Sequence, residues 1–254
     1  MFKKVRLKKG VKLVLAGIIL VSVIGFTESK QDGEVCKDIV VKINNQYDNY
    51  FIDEADVLSL MTLNGNDIVK GASFKALNLK EIEERVKSDR FVSKAEIYKD
   101  LKGNMLVNVE LRRPFARIVQ KNAPDAYIAT DGAILPVSGK FSSRVVLISG
   151  DYASKLAKSD LLTNDEGKKI FAMLRFINEH KFWKAQIAQM DIDSKLNLTL
   201  YPQVTRQYVE FGQPVEIGKK FDKLEIFYKR ILPQKGWNTY ERVNLMYDGQ
   251  IIAE

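Results

Sequence analysis

Along residues 39–44 the apolar side chains Ile39, Val41 and Ile43 alternate with Val40, Lys42 and Asn44, a period of two that predicts a strand with one apolar face. The period then lengthens. Asp53 with Asp56 three residues on precedes Val57, Leu58, Leu60 and Met61, the arrangement of a capped short helix. Asn78 with Glu81 repeats that signal before Leu79, Ile82 and Val86, which share one face of a second helix. Val92 to Lys99 and Met105 to Leu111 return to the strand period, joined by Leu101-Lys102-Gly103-Asn104, a hairpin signal. Strand, helix, helix, strand, strand predicts a small α+β module with two helices on one sheet.

Pro114 closes this module, and Lys121 to Pro124 are expected to form a junction. Beyond it the pattern is mainly strand. Tyr127–Thr130 and Ala133–Pro136 flank Asp131-Gly132, a strong hairpin signal. Val145 to Ser149 is a continuous apolar run, expected to be a buried strand. Thr163 with Glu166 forms a capping box ahead of a helix carrying Ile170, Phe171, Leu174 and Ile177, which breaks near Lys181. Gln186–Asp193, Leu196–Tyr201 and Tyr208–Phe211 read as strands, and Lys219–Leu232 as a helix stopped by Pro233. Val243–Tyr247 and Gln250–Ala253 close the chain as strands. In the first of these, Val243, Leu245 and Tyr247 face one way and Asn244, Met246 and Asp248 the other.

One apolar stretch fits neither module. Leu13 to Phe26 holds no charge and follows Lys3, Lys4, Arg6, Lys8, Lys9 and Lys12. A membrane-inserting segment with that flank keeps its N-terminus in the cytoplasm and sends the following residues across. Fourteen residues span roughly 21 Å, short of the roughly 30 Å hydrocarbon core. Counting from Gly10 to Thr27 gives about 27 Å, sufficient with slight bilayer thinning. The stretch therefore reads as an uncleaved anchor (Leu13, Leu15, Ile18, Leu20, Ile24, Phe26) in preference to a cleaved signal, because Val23-Ile24-Gly25 is a poor cleavage site.

Charge supports that topology. The net charge of 40 − 32 = +8 is concentrated in the first twelve residues, which hold six cations and no acid, so nucleic-acid binding is disfavoured. The single cysteine, Cys36, excludes an intrachain disulfide and reads as a small buried residue.

No catalytic pattern is present. The single histidine, His180, stands at a helix end, and neither a zinc spacing, a nucleophile elbow nor a phosphate-binding loop occurs. Asp191 and Asp193 read as a solvated strand end, not a calcium loop. No cofactor and no metal are expected.

The whole pattern resembles the FtsQ/DivIB family of bacterial cell-division proteins. The likeness rests on the basic tail with one anchor, on Val107-Asn108-Val109-Glu110-Leu111-Arg112-Arg113-Pro114-Phe115-Ala116, similar to a family closing strand of the form Val-x-Glu-x-x-Pro-x-Ala, and on the Asp131-Gly132 hairpin. Val215-Glu216-Ile217-Gly218 with Lys223-Leu224, leading to Val243–Gly249, completes it. The resemblance implies a cytoplasmic tail (1–12), a transmembrane anchor (13–27), a linker (28–34), a POTRA-like domain (35–118) and a mainly β domain with flanking helices (125–254). It further implies a non-enzymatic scaffold at the division septum, single-pass in the cytoplasmic membrane, that recruits FtsB-like and FtsL-like bitopic proteins. In the family the last strand is an edge that accepts a partner strand, which would assign Val243, Leu245, Met246, Tyr247, Gly249 and Ile251 to partner binding. Met246 stands where the family often has an arginine. The rival reading is a secreted, signal-cleaved binding protein or enzyme.

Overall fold

The computed structural model describes residues 10, 16–22, 34–44, 48–159 and 161–254. Residues 16–22 are helical, with Ile18 and Leu20 exposed; Leu13, Leu15, Ile24 and Phe26 lie outside the described residues. Among the described residues no helix is long and apolar enough to cross a membrane. The described chain beyond residue 34 falls into two units, one of 34–44 with 52–110 and one of 48–51 with 111–254.

The smaller unit follows the expected order: β1 (Ile39–Asn44), α1 (Glu54–Met61), α2 (Leu79–Lys87), β2 (Val92–Lys99) and β3 (Met105–Leu111). The sheet order is β1-β3-β2, with β1 parallel to β3 in the register Ile39↔Met105 to Asn44↔Glu110. Asp53 caps α1 reciprocally: its carboxylate accepts from the Asp56 N–H, and Asp56 accepts from the Asp53 N–H, both at 3.0 Å. Asn78 caps α2 by accepting from the Glu81 N–H. Val57, Met61, Ile82 and Val86 of the helices meet Val92, Ala95, Ile97, Met105, Val107 and Val109 of the sheet in the core. Each valine, isoleucine and methionine among them contributes about 1.5–3 kcal/mol by leaving water.

The larger unit is built on nine strands in the order β12-β11-β10-β9-β8-β7-β4-β5-β6. They are β4 (Pro114–Ile118), β5 (Ala126–Ala129), β6 (Ile134–Pro136), β7 (Val146–Ser149), β8 (Ile187–Ile192), β9 (Leu198–Pro202), β10 (Tyr208–Gly212), β11 (Arg242–Asn244) and β12 (Ile252–Ala253). β4, β7 and β8 run parallel. The helices α3 (Ala153–Leu156), α4 (Asp165–Glu179), α5 (Lys181–Gln186) and α6 (Ile217–Ile226) accompany the sheet. Ile170, Leu174, Ile177, Trp183, Phe221 and Leu224 from them share a core with Ile118, Ile148, Met190, Leu200, Phe211 and Val243 from the strands.

Several expectations change here. Pro114–Ile118 was expected to close the first module, yet it forms β4 inside the large sheet, and Lys121–Pro124 is the β4–β5 connection. Tyr50 and Phe51 also join this unit, their rings meeting Phe141 edge-on at 5.5 and 5.0 Å, with Phe51 also against Tyr127. The cap of α4 is Asn164, accepting from the Gly167 N–H, one residue later than the expected Thr163. In β7 only Ile148 is fully buried; its neighbour Leu147, which points to the opposite face, is 38% exposed. Pro233 does not stop the last helix. A π-helical turn, Phe227–Ile231, precedes it, and α7 (Leu232–Lys235) continues with Pro233 in its first turn, where a missing N–H costs least.

Candidate partner-binding edge

The C-terminal end of the sheet is built from β10, β11 and β12. β11 lies parallel to β10 in the register Tyr208↔Arg242, Val209↔Val243, Glu210↔Asn244. β12 folds back antiparallel on β11, pairing Val243↔Ala253 and Asn244↔Ile252. The expected strand Val243–Tyr247 is thus shorter, and it is not the edge: β12 covers it and is itself the terminal strand. The Asn244 side chain accepts from the Met246 N–H at 2.9 Å, a local turn that takes the chain out of the ladder and ends the period-two alternation.

That turn separates the six residues expected to bind a partner. Val243 and Leu245 are fully buried in the core, so their side chains are not offered to a partner. Met246 and Tyr247 are 51% and 50% exposed. Tyr247 therefore does not follow Val243 and Leu245 into the core. Gly249 has φ +67, a left-handed turn that favours glycine, and Ile251 packs partly against the core. At the base of the same loop Gly212 has φ +69, and a Cβ there would lie 2.8 Å from Met246 Cγ, so this glycine makes room for the methionine.

Charged groups to which the sequence reading gave no such role hold the edge together. Arg242 forks onto Glu210, Nε and Nη2 each donating at 2.9 Å, and its Nη1 donates to Glu254 at 3.0 Å. Asn244 Nδ2 also donates to Glu210, at 2.6 Å. The hydrogen bonds to Glu210, and then to Glu254, raise the guanidinium pKa, so Arg242 stays charged at any ordinary pH. Below the edge, Lys223 Nζ donates to the carbonyls of Tyr247 (2.8 Å), Leu245 (3.4 Å) and Gln250 (3.4 Å), which gathers the 245–250 loop onto α6. Glu210 stood inside the predicted strand Tyr208–Phe211 and Arg242 one residue ahead of the predicted strand Val243–Tyr247, but sequence alone does not bring β10 beside β11.

The free backbone groups of the edge follow from the register. Glu254 N–H donates to Arg242 O and Arg242 N–H to Glu254 O, both at 3.0 Å. Residues 242 and 254 are thus a hydrogen-bonded pair, 243 and 253 the alternate kind, and the N–H and C=O of Ala253 point away from β11. They are available to another strand.

The residues singled out for chemistry are dispersed. Cys36 is buried in the smaller unit, and burial raises its thiol pKa. His180 caps the C-terminus of α4, its ring stacked on Phe176 at 6.1 Å. Asp191 accepts from Ser149 Oγ at 2.6 Å. Asp193 organises the turn at Asn197, which donates to it. Among the described residues no group of three or more His, Cys, Asp and Glu side chains is placed to hold a metal.

Residues 34–110, the smaller unit, match the POTRA-like domain. No curated protein matches the chain. Residues 113–254, more than half of the chain, match the family described as FtsQ/DivIB, C-terminal related, and this match covers the nine-stranded sheet from its first strand to its last. With a POTRA-like unit ahead of that sheet, the chain belongs to the FtsQ/DivIB family.

Proposed function

We propose that the chain is a non-catalytic scaffold of the division machinery that captures FtsB-like and FtsL-like bitopic partners by β-augmentation at β12. It thereby links early cytoplasmic division components to septal peptidoglycan synthesis. Family membership supports a role in cell division. The observation that carries the finer reading is the free edge: β12 is the last strand, Ala253 turns its main-chain groups outward, and Met246 and Tyr247 stand half-exposed on the adjoining loop. In β-augmentation, main-chain hydrogen bonds supply affinity and side chains at alternate positions supply specificity. An edge of two residues is short, and Lys223 and Arg242 hold its surroundings in place before a partner arrives, which lowers the ordering cost of binding.

The uncharged run Leu13–Phe26 behind six cations supports a single-pass anchor with residues 1–12 cytoplasmic and residues 35–254 outside. Protease added to spheroplasts then digests the large exported part and leaves a small protected fragment. The mass of the mature N-terminus separates this reading from a signal-cleaved secreted protein, which would begin near Phe26. A fluorescent fusion that gathers at midcell supports the scaffold; one spread evenly round the cell envelope contradicts it.

A further inference from the structure

The larger unit carries a second surface, remote from β12 along the sheet. A cleft of about 710 Å³ opens at the N-terminal ends of the parallel strands β4, β7 and β8. Three strands, β9, β10 and β11, separate β8 from the C-terminal edge. Its apolar lining includes Pro114, Phe115, Val145, Val146, Leu147 and Ile187. Leu147 is the apolar lining residue most open to solvent. Its walls are cationic: Arg113, Arg117, Arg144 and Lys184 line it against one acid, Asp48. Arg117 is held in place by Asp125, which accepts from its Nε at 2.9 Å, and by Ser142. Arg144 and Lys184 are exposed and come from different elements, the segment before β7 and α5.

We propose that this cleft docks an acidic segment of a protein partner, with one large apolar side chain against Leu147 and flanking carboxylates facing Arg144 and Lys184. The volume lies within the roughly 300–1,000 Å³ of ligand sites and far exceeds what a lone phosphate fills. An apolar patch flanked by mainly positive charge also matches how interfaces divide their labour: the buried anchor supplies affinity, and the charged rim supplies encounter rate and selection against like-charged partners. The surface is independent of the proposed edge, so failure at one leaves the other standing.

The probe is a fluorescein-labelled heptapeptide, Asp-Glu-Glu-Phe-Glu-Glu-Asp, titrated by anisotropy against the full chain in detergent micelles. The expected result is saturable binding that weakens as salt rises. It falls at least tenfold in the double variant Arg144→Glu, Lys184→Glu, whose exposed positions leave the melting temperature unchanged. Leu147→Ser weakens the heptapeptide but not its Phe→Gly counterpart. No saturable binding, equal affinity for a peptide with lysine in place of every glutamate, or equal affinity in the charge-reversed variant would overturn the proposal. Displacement of the peptide by millimolar inorganic phosphate would overturn it too, reducing the cleft to a general anion site.

Discussion

The Lys223 ammonium donates to the Tyr247 carbonyl at 2.8 Å, and its two longer contacts reach Leu245 and Gln250. One side chain of α6 thus fixes the loop that carries the exposed tyrosine. Lys223→Met keeps the aliphatic stem and removes the donor. It is expected to cost about 1–2 kcal/mol of stability, since the pairs are charge-assisted but half-exposed, and to loosen the loop. Thermal melting reads the first effect and amide hydrogen exchange at 245–250 the second; unchanged exchange there would show that the lysine does not order the loop.

Tyr247 is half-exposed, so its truncation tests recognition apart from folding. Tyr247→Ala is expected to melt as wild type while losing about 2 kcal/mol of partner binding, the scale of an interface hot spot. Early melting would instead place the ring in the core.

Cys36 is sealed inside the smaller unit, and burial holds its thiol above its ordinary pKa of 9.0. The folded state thus keeps the proton that the unfolded chain gives up more readily. Its contribution to stability is full below about pH 9 and declines as pH rises from there toward the higher folded value. Iodoacetamide is expected to label the native protein slowly and the guanidinium-unfolded protein fast. Rapid labelling of native protein at pH 8 would contradict the burial, and Cys36→Ala should flatten the alkaline decline.

The reciprocal cap at α1 gives a local test of the smaller unit. Asp53→Ala leaves the N–H of Asp56 without its acceptor and is expected to cost about 1 kcal/mol. Asp53→Asn should recover most of that, because an amide oxygen accepts equally at an N-cap. If both variants melt alike and early, the loss is not one of capping.

The smaller unit was largely legible because its order rests on local signals. Asp53 and Asn78 mark two helix starts, Gly103 marks the hairpin, and β1 and β3 alternate cleanly. The larger unit was legible element by element but not as an assembly. β7 read as an apolar run and β8 as a strand, while β4 was hidden behind Pro114, and nothing local states that Ala116 pairs with Val146 or Ile148 with Met190. Lys181–Gln186 was hidden because six residues with two adjacent aromatics carry no readable helical period.

The candidate edge shows the same division. Period two correctly sends Val243 and Leu245 inward but fails at Tyr247, where Asn244 bonds its own chain two residues on and breaks the strand. The family resemblance pointed to the C-terminal end of the sheet, whereas the identity of the outermost strand there depended on the turn at Gly249 bringing residues 252–253 back over 243–244.

The central claim is that the main chain of β12 is where a partner pairs. Ala253→Pro removes one outward N–H and spares the inward ladder of Ile252 and Glu254, a place where an edge strand tolerates proline. Wild-type and Ala253→Pro chains, matched by melting temperature, are to be compared in quantitative co-purification with FtsB-like and FtsL-like proteins. The account predicts that the proline chain melts within a few degrees of wild type and retains less than a tenth of the partner. Full retention by a normally melting Ala253→Pro protein would contradict it.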